Sequence, residues 1–351
     1  MEKNSDIKKK NYLIISVFCS FFIILCSSVF IWQGIYLPKE PNSQKEIIFE
    51  IKKGEGGGEI SFNLKNENLI RSGLLFRIYT RFKGISKKFQ AGQYSLSPAM
   101  TISEIVQKFI SGDVIKEKIT IVEGWNLKDL ANFIENKDLG SKEELFQITG
   151  YPENKSNSKD YSDSFSFLKD KPKGTNLEGY IFPDTYEIQI NEESLESIII
   201  KALQNFDKKL NLDLREEIKK QDKTIFDILI MASLIEKEVK TLEDKKLVSG
   251  ILWKRLKLGK PLENCATIAY IKGEDLWRYS YEDTRIQSPY NTYLNLGLPP
   301  GPICNPGLES IKAALYPKDS EYWYWLSTPE GTTIFSKTLQ EHNLAKAKYL
   351  R

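Results

Sequence analysis

Residues 12–32 read YLIISVFCSFFIILCSSVFIW, and no charged side chain occurs between Lys10 and Lys39. A run of about 20 apolar residues at ~1.5 Å each matches the hydrocarbon thickness of a bilayer. A soluble helix of that length would carry a polar face, and a cleaved signal peptide would have a shorter apolar core and a small-residue cleavage site. The run is expected to be a transmembrane helix, with a cytoplasmic tail over 1–11 and a polar linker over 33–45. Lys3, Lys8, Lys9 and Lys10 precede it, while Lys39 and Glu40 open the far side. The positive-inside bias then puts the N-terminus in the cytoplasm and the bulk of the chain beyond the membrane.

The 351 residues leave room for two or three domains after the anchor. A net charge of +3 is too small for a broad electrostatic footprint on nucleic acid, so no such partner is expected. His342 is the only histidine, which removes HExxH zinc sites and multi-histidine metal centres. A Walker loop, a GxGxxG fingerprint and a GxSxG elbow are all missing from the sequence. No metal and no organic cofactor is expected, and carboxylate chemistry survives the filter. Cys19 and Cys26 lie in the apolar run, which leaves Cys265 and Cys304 either as a disulfide or as two free thiols.

Beyond the linker the fold class reads as α+β. Residues 49–70 and 118–140 each pass from an alternating strand through a glycine turn to an amphipathic helix. Between them, LLFRIYTRF predicts a helix, AGQYSLS a strand, and TISEIVQKFISGD a helix started at Thr101 or Ser103 and stopped by Gly112. Residues 46–116 therefore form one small α+β module, and 117–351 a larger α+β domain. The polar stretch 141–175 reads as an inserted loop or lid. Residues 192–220 predict a helical pair, and 223–258 a buried helix with its successor. The segment 297–307 holds four prolines and three glycines, which points to a rigid loop walling a groove.

Two acids stand out. In NLEGYIFPDTYEI (176–188), Glu178 lies among Tyr180, Phe182 and Tyr186. Partial desolvation there would raise its pKa toward that of a general acid, and the aromatic faces would suit sugar rings. The alternative is an exposed glutamate at a strand start, with the aromatics filling the core. In TIFDILIMASLIEKEVK (224–240), Glu236 shares a helix face with Ile225, Leu229, Ala232 and Val239, while Glu238 points away to solvent. A buried acid needs a partner, so Glu236 either meets a cation such as Arg255 or works in a polar site. His342 either orients a catalytic group or is structural, and YWYW (322–325) reads as a core strand.

Six stretches in register resemble one family, the membrane-anchored endolytic murein transglycosylases of the YceG/MltG-like type. They are QAGQYSL (90–96), EGW (123–125), LEGYIFPDTYEI (177–188), ASLIEKE (232–238), SPYNTYLNLGLPPGPICNPG (288–307) and FSKTLQEHN (335–343). The resemblance implies a bacterial cytoplasmic-membrane enzyme that cuts the β-1,4 bond between N-acetylmuramic acid and N-acetylglucosamine in nascent peptidoglycan. It leaves 1,6-anhydro ends and so limits strand length. It also implies a LysM-like module over 46–116, membrane peptidoglycan synthases as partners, and Glu178 as the catalytic residue. Tyr180, Glu236, Ser288, Tyr290, Asn291, Pro300, Asn305 and His342 would bind glycan or tune the acid.

Three departures from the family pattern bear on subsites: ENCAT (263–267) replaces an Asp-Pro-Thr stretch, Trp253-Lys254-Arg255-Leu256 an aromatic-Asn-Arg-Leu, and Thr333 a histidine. Two rivals stay open. One is a non-catalytic wall-binding scaffold, and the other a hydrolytic muramidase in which Glu236 or Asp184 activates water.

Overall fold

Helix α1 runs Glu2–Tyr36 and contains the window Ile14–Tyr36, long and apolar enough to cross a membrane. The computed structural model describes residues 2–151, 159–189, 194–274 and 279–350, and for 2–13 the backbone only. They form a mixed helix-and-strand protein in two units. The first is the chain through Glu117, joined by Gln189, and the second is the chain from Lys118 onward.

In the first unit, β1 (Ile47–Ile51) and β2 (Gly92–Leu96) pair antiparallel with Phe49 opposite Tyr94. Helices α2 (Gly57–Asn66) and α3 (Gly73–Phe82) connect them, and α4 (Ile102–Ser111) follows. Strand alternation turns Phe49, Ile51, Tyr94 and Leu96 inward, where they bury with Leu64, Phe76 and Phe109. Phe109 is central, with ring centroids 4.8 Å from Tyr94 and 5.6 Å from Phe89. Helix α4 has the limits its sequence predicts: a capping box between Thr101 and Glu104, and a left-handed stop at Gly112 with φ 67°. The linker boundary is corrected. The apolar helix continues through Tyr36, and Arg71 donates to the carbonyl oxygens of Pro38 and Lys39 at 2.9 and 3.3 Å.

Strand β3 (Glu117–Thr120) leads into the second unit, followed by α5 (Leu127–Asn136) and α6 (Lys142–Thr149). Strand β4 (Thr185–Ile188) pairs with β3. Then come α7 (Leu195–Lys209), α8 (Leu212–Lys220), α9 (Ile225–Glu236), α10 (Leu242–Lys257) and α11 (Cys265–Lys272). Helix α12 (Leu308–Leu315), the antiparallel hairpin β5 (Tyr324–Ser327) and β6 (Thr333–Ser336), and α13 (Leu339–Tyr349) close the chain. The centre is α9, buried from Ile228 through Ile235 on every side, and α10 and α12 pack on it. Residues 288–307 form a coil without helix or strand, buried throughout 301–307 and exposed at 294–296.

The expectation of a loop over 141–175 is corrected. Helix α6 occupies its start, and Leu145, Tyr161, Phe165, Phe167 and Leu168 all enter the core. A few large apolar anchors outweigh the polar average of the stretch; its residues 152–158 lie outside the described residues. The hairpin strand at Tyr324 and Trp325 is only half-buried, not a core strand.

Candidate active site

The site begins with a turn. The Asn176 side chain accepts from the Glu178 N–H at 2.9 Å, and the Tyr180 N–H closes back onto Leu177 at 3.1 Å. Gly179 adopts φ +87°, and a Cβ there would lie 2.6 Å from Pro302 Cγ. Glycine is required twice over, for the left-handed backbone and for the approach of the proline-rich loop. That loop reaches back through Asn305, which is fully buried. Its Oδ1 accepts from the N–H groups of Gly179 and Ile181, each at 3.0 Å, and its Nδ2 donates to the Trp125 carbonyl at 3.0 Å and lies 3.5 Å from Glu178 Oε1.

Thus held, Glu178 points at the start of α5. Asn126 caps that helix in a capping box with Asp129, and the Leu127 N–H, one of the donors a helix start leaves unpaired, reaches both Glu178 oxygens at 3.1 and 3.0 Å. Only 1% of Glu178 is exposed. Burial pushes its pKa up to about 8, outweighing the Leu127 N–H, which favours the charged form. The alternative of an exposed glutamate at a strand start is therefore corrected. Near neutral pH the group is a buried carboxylic acid with a proton to give.

A cavity of about 120 Å³ lies at the start of α5, lined in part by Asn126, Asp129, Tyr270, Gly273 and Ile303. Tyr270 is half-buried, lies tilted against Tyr290 with ring centroids 5.0 Å apart, and has its hydroxyl pKa raised by burial and then by Glu178. Tyr290 also approaches the loop, its Oη lying 3.0 Å from where a Cβ on Gly301 would stand.

Glu236 ends α9 and does different work. Lys245 pairs with it at 3.0 Å, both side chains being buried, and the Gly307 N–H donates to it at 2.9 Å. The expected partner Arg255 instead pairs with Glu263 at 2.8 Å. One turn earlier Ser233 accepts from the Ile303 N–H at 3.0 Å, so α9 grips the loop twice. Glu123 of EGW lies against Gly307, its carboxyl raised by burial and then by Glu236. Glu238 does not point to solvent, which corrects that expectation. Helix α9 stops at Glu236, helical phasing lapses, and Glu238 accepts from Trp325 Nε1 at 3.0 Å with its pKa raised by burial.

The structure brings Glu178, Asn305, Glu236 and Tyr290 to the walls of one loop and sorts the other candidates elsewhere. Tyr180 is enclosed between Phe167 and Phe206 and offers no face to a ligand. Ser288 accepts from the Tyr290 N–H, and buried Asn291 donates to Thr284 and Ile286; both brace the coil. Pro300 is exposed on the loop surface. His342, on α13, stacks on Tyr324 at 5.3 Å, its pKa lowered to about 4 by burial, and none of its contacts involves Glu178. Cys265 and Cys304 are both free. Sequence reasoning missed Ser233, Lys245, Tyr270 and the Leu127 N–H; only the helix start at Asn126–Asp129 carried a readable signal. No group of three or more metal-ligating side chains is positioned for an ion among the described residues.

These features define a class: a mixed helix-and-strand protein with one buried carboxylic acid at a helix start, walled by a proline-rich loop. The chain belongs to the YceG-like family, whose model matches residues 49–348. It is 35% identical over 321 residues to the endolytic murein transglycosylase of Bacillus subtilis (strain 168), covering 91% of this chain and 89% of that one. It is 29% identical over 334 residues to the endolytic murein transglycosylase of Streptococcus pneumoniae (strain ATCC BAA-255 / R6), covering 90% of this chain and 60% of that one. A crystal structure of a putative YceG-like protein from Listeria monocytogenes superposes with a TM-score of 0.58 at 33% identity, covering 87% of this chain and all of that one.

Proposed function

We propose that this chain is an endolytic peptidoglycan lytic transglycosylase in which Glu178 is the sole general acid and base. The observation that carries the reading is a carboxyl group raised to about 8 by burial and aimed by Leu127 and Asn305. As an acid, Glu178 protonates the glycosidic oxygen between N-acetylmuramic acid and N-acetylglucosamine. As the resulting carboxylate, it takes the proton of the muramoyl C6 hydroxyl while that oxygen attacks C1 of its own sugar. The proton is restored, no water enters, and a 1,6-anhydro end remains. Tethering of the nucleophile supplies the proximity that a second carboxylate would otherwise organise.

A hydrolytic muramidase has less support. Glu236 is occupied by Lys245 and Gly307, while Asp184, which burial alone would raise, has its pKa lowered by the hydrogen bonds it accepts from Asn205 and Thr185 and by Lys209. A non-catalytic scaffold would leave the burial of Glu178 without a use. Glycan reaches the acid from the Tyr270 side, where the cavity lies. Further parts of the reading are the LysM-like role of the first unit, supported by its strand-helix-helix-strand order, and a spanning anchor with the N-terminus in the cytoplasm. Shortened nascent strands and a membrane synthase as neighbour complete it.

The test is to incubate the full chain in detergent, wild type and Glu178→Gln, with uncrosslinked nascent glycan and to identify new chain ends by mass spectrometry. Anhydro ends are expected from wild type, reduced at least ~10³-fold in the variant. Reducing ends would make the protein a hydrolase, and glycan binding without cleavage would make it a scaffold.

A further inference from the structure

The apolar window Ile14–Tyr36 spans 23 residues, roughly 34 Å of helix at ~1.5 Å per residue against a hydrocarbon core of about 30 Å. Its last turn therefore emerges at headgroup depth. Trp32 and Tyr36, with ring centroids 6.0 Å apart, are the residue types that settle there. Helix α3 packs on this turn. Ile35 is buried, Tyr36 meets Tyr79 edge-on at 6.3 Å, and a Cβ on Gly34 would strike Leu75. The contact holds α3 at the depth where the anchor leaves the bilayer.

One face of α3 buries Leu75, Phe76 and Thr80 in the module. The opposite face exposes Leu74, Ile78 and Phe82, at i, i+4 and i+8, and Phe82 is 90% exposed. Arg77 and Arg81 stand exposed beside that stripe. From Arg71 to Lys88 the chain carries six Lys or Arg and no Asp or Glu. Apolar side chains in a line, flanked by cations and held at headgroup depth, are the makings of an interfacial helix.

We infer that the exposed face of α3 lies in the headgroup layer of the leaflet the anchor exits, with Leu74, Ile78 and Phe82 below the phosphates and Arg77 and Arg81 on anionic lipid. The inference rests on Ile14–Tyr36 spanning the bilayer. Continuity with the anchor and the one-signed charge favour lipid over a protein surface. The module thereby gains a second membrane contact, which fixes its rotation about the anchor axis.

The test uses the full chain in phosphatidylcholine vesicles containing phosphatidylglycerol. An environment-sensitive fluorophore is attached to Phe82→Cys in a background with Cys19, Cys26 and Cys265 replaced by serine. A second preparation carries the label on native Cys26, in the anchor, with Cys19 and Cys265 replaced by serine. Blue-shifted emission at position 82, quenched by lipid bearing a headgroup-level nitroxide, is expected. Arg77→Glu with Arg81→Glu should weaken that local partition about tenfold or more. Water-like emission at 82 with lipid quenching at Cys26 would overturn the inference and leave the anchor standing. Water-like emission at both would remove the anchor and the inference together. Blue-shifted emission at 82 without lipid quenching would assign the stripe to a protein partner and overturn the lipid assignment.

Discussion

Glu178 accepts the Leu127 N–H at the start of α5, and Glu236 accepts the Gly307 N–H at the start of α12. Both are buried, yet Glu236 has Lys245 at 3.0 Å, whereas no ion pair to Glu178 occurs among the described residues. The donors at a helix start carry only about half a unit of positive charge, too little to offset taking a carboxylate out of water. A full cation beside Glu236 ties that acid into the scaffold that holds the loop. Without one, Glu178 keeps its proton into the alkaline range and can deliver it. The geometry is shared, and one lysine distinguishes the paired acid from the one left without a cation.

The comparison breaks most visibly at Lys245. Lys245→Met leaves Glu236 buried without its cation and should cost about 3–5 kcal/mol, on the order of 10 °C in melting temperature. Adding Glu236→Gln should restore most of that loss. Thermal unfolding of both variants checks it, and a harmless single substitution would mean the pair contributes little.

A pH series sharpens the other half. The folded pKa of Glu178, about 8, lies above the ~4.3 of an unfolded glutamate. The folded state therefore holds the proton more tightly, and the stability this contributes is complete below ~4.3 and lost as pH rises through 8. Between pH 5 and 9, Glu178→Gln should gain on wild type by on the order of a few kcal/mol. In the same window kcat/KM of wild type should fall above about pH 8. Melting curves and initial rates across pH measure the two effects, and a stability difference independent of pH would show that burial leaves Glu178 unshifted.

Asn305 gives the smallest effect. Asn305→Ala removes the acceptor for Gly179 and Ile181 and should lower kcat by about 10²-fold or less, with KM little changed. Asn305→Asp keeps that acceptor but places a second carboxylate beside Glu178, and should carry the alkaline limb of the rate profile upward. Steady-state kinetics on the two variants separates positioning from charge.

What the chain discloses before folding follows the range of the interaction. The helix start and glycine stop of α4 and the coil at 297–307 are written in neighbouring residues, and each is where its residues place it, whereas the apolar helix runs past its expected end to Tyr36. Glu178 could be singled out by chemistry and by resemblance. Its holder could not, because the Leu127 donor is a backbone group that every residue except proline possesses. Asn305 acts on Gly179 from 126 positions away, a distance no local pattern spans. Tyr180 shows the opposite error: an aromatic beside an acid suits a sugar platform or a core equally, and only the packing of Phe167 and Phe206 decides.

Gly179 and Pro302 interlock without an intervening side chain, and Asn305 bolts the same two strips of chain together. The acid and the proline-rich wall are in effect one machined part. Neither can shift against the other without losing both the Gly179–Pro302 contact and the Asn305 hydrogen bonds that hold the turn carrying Glu178.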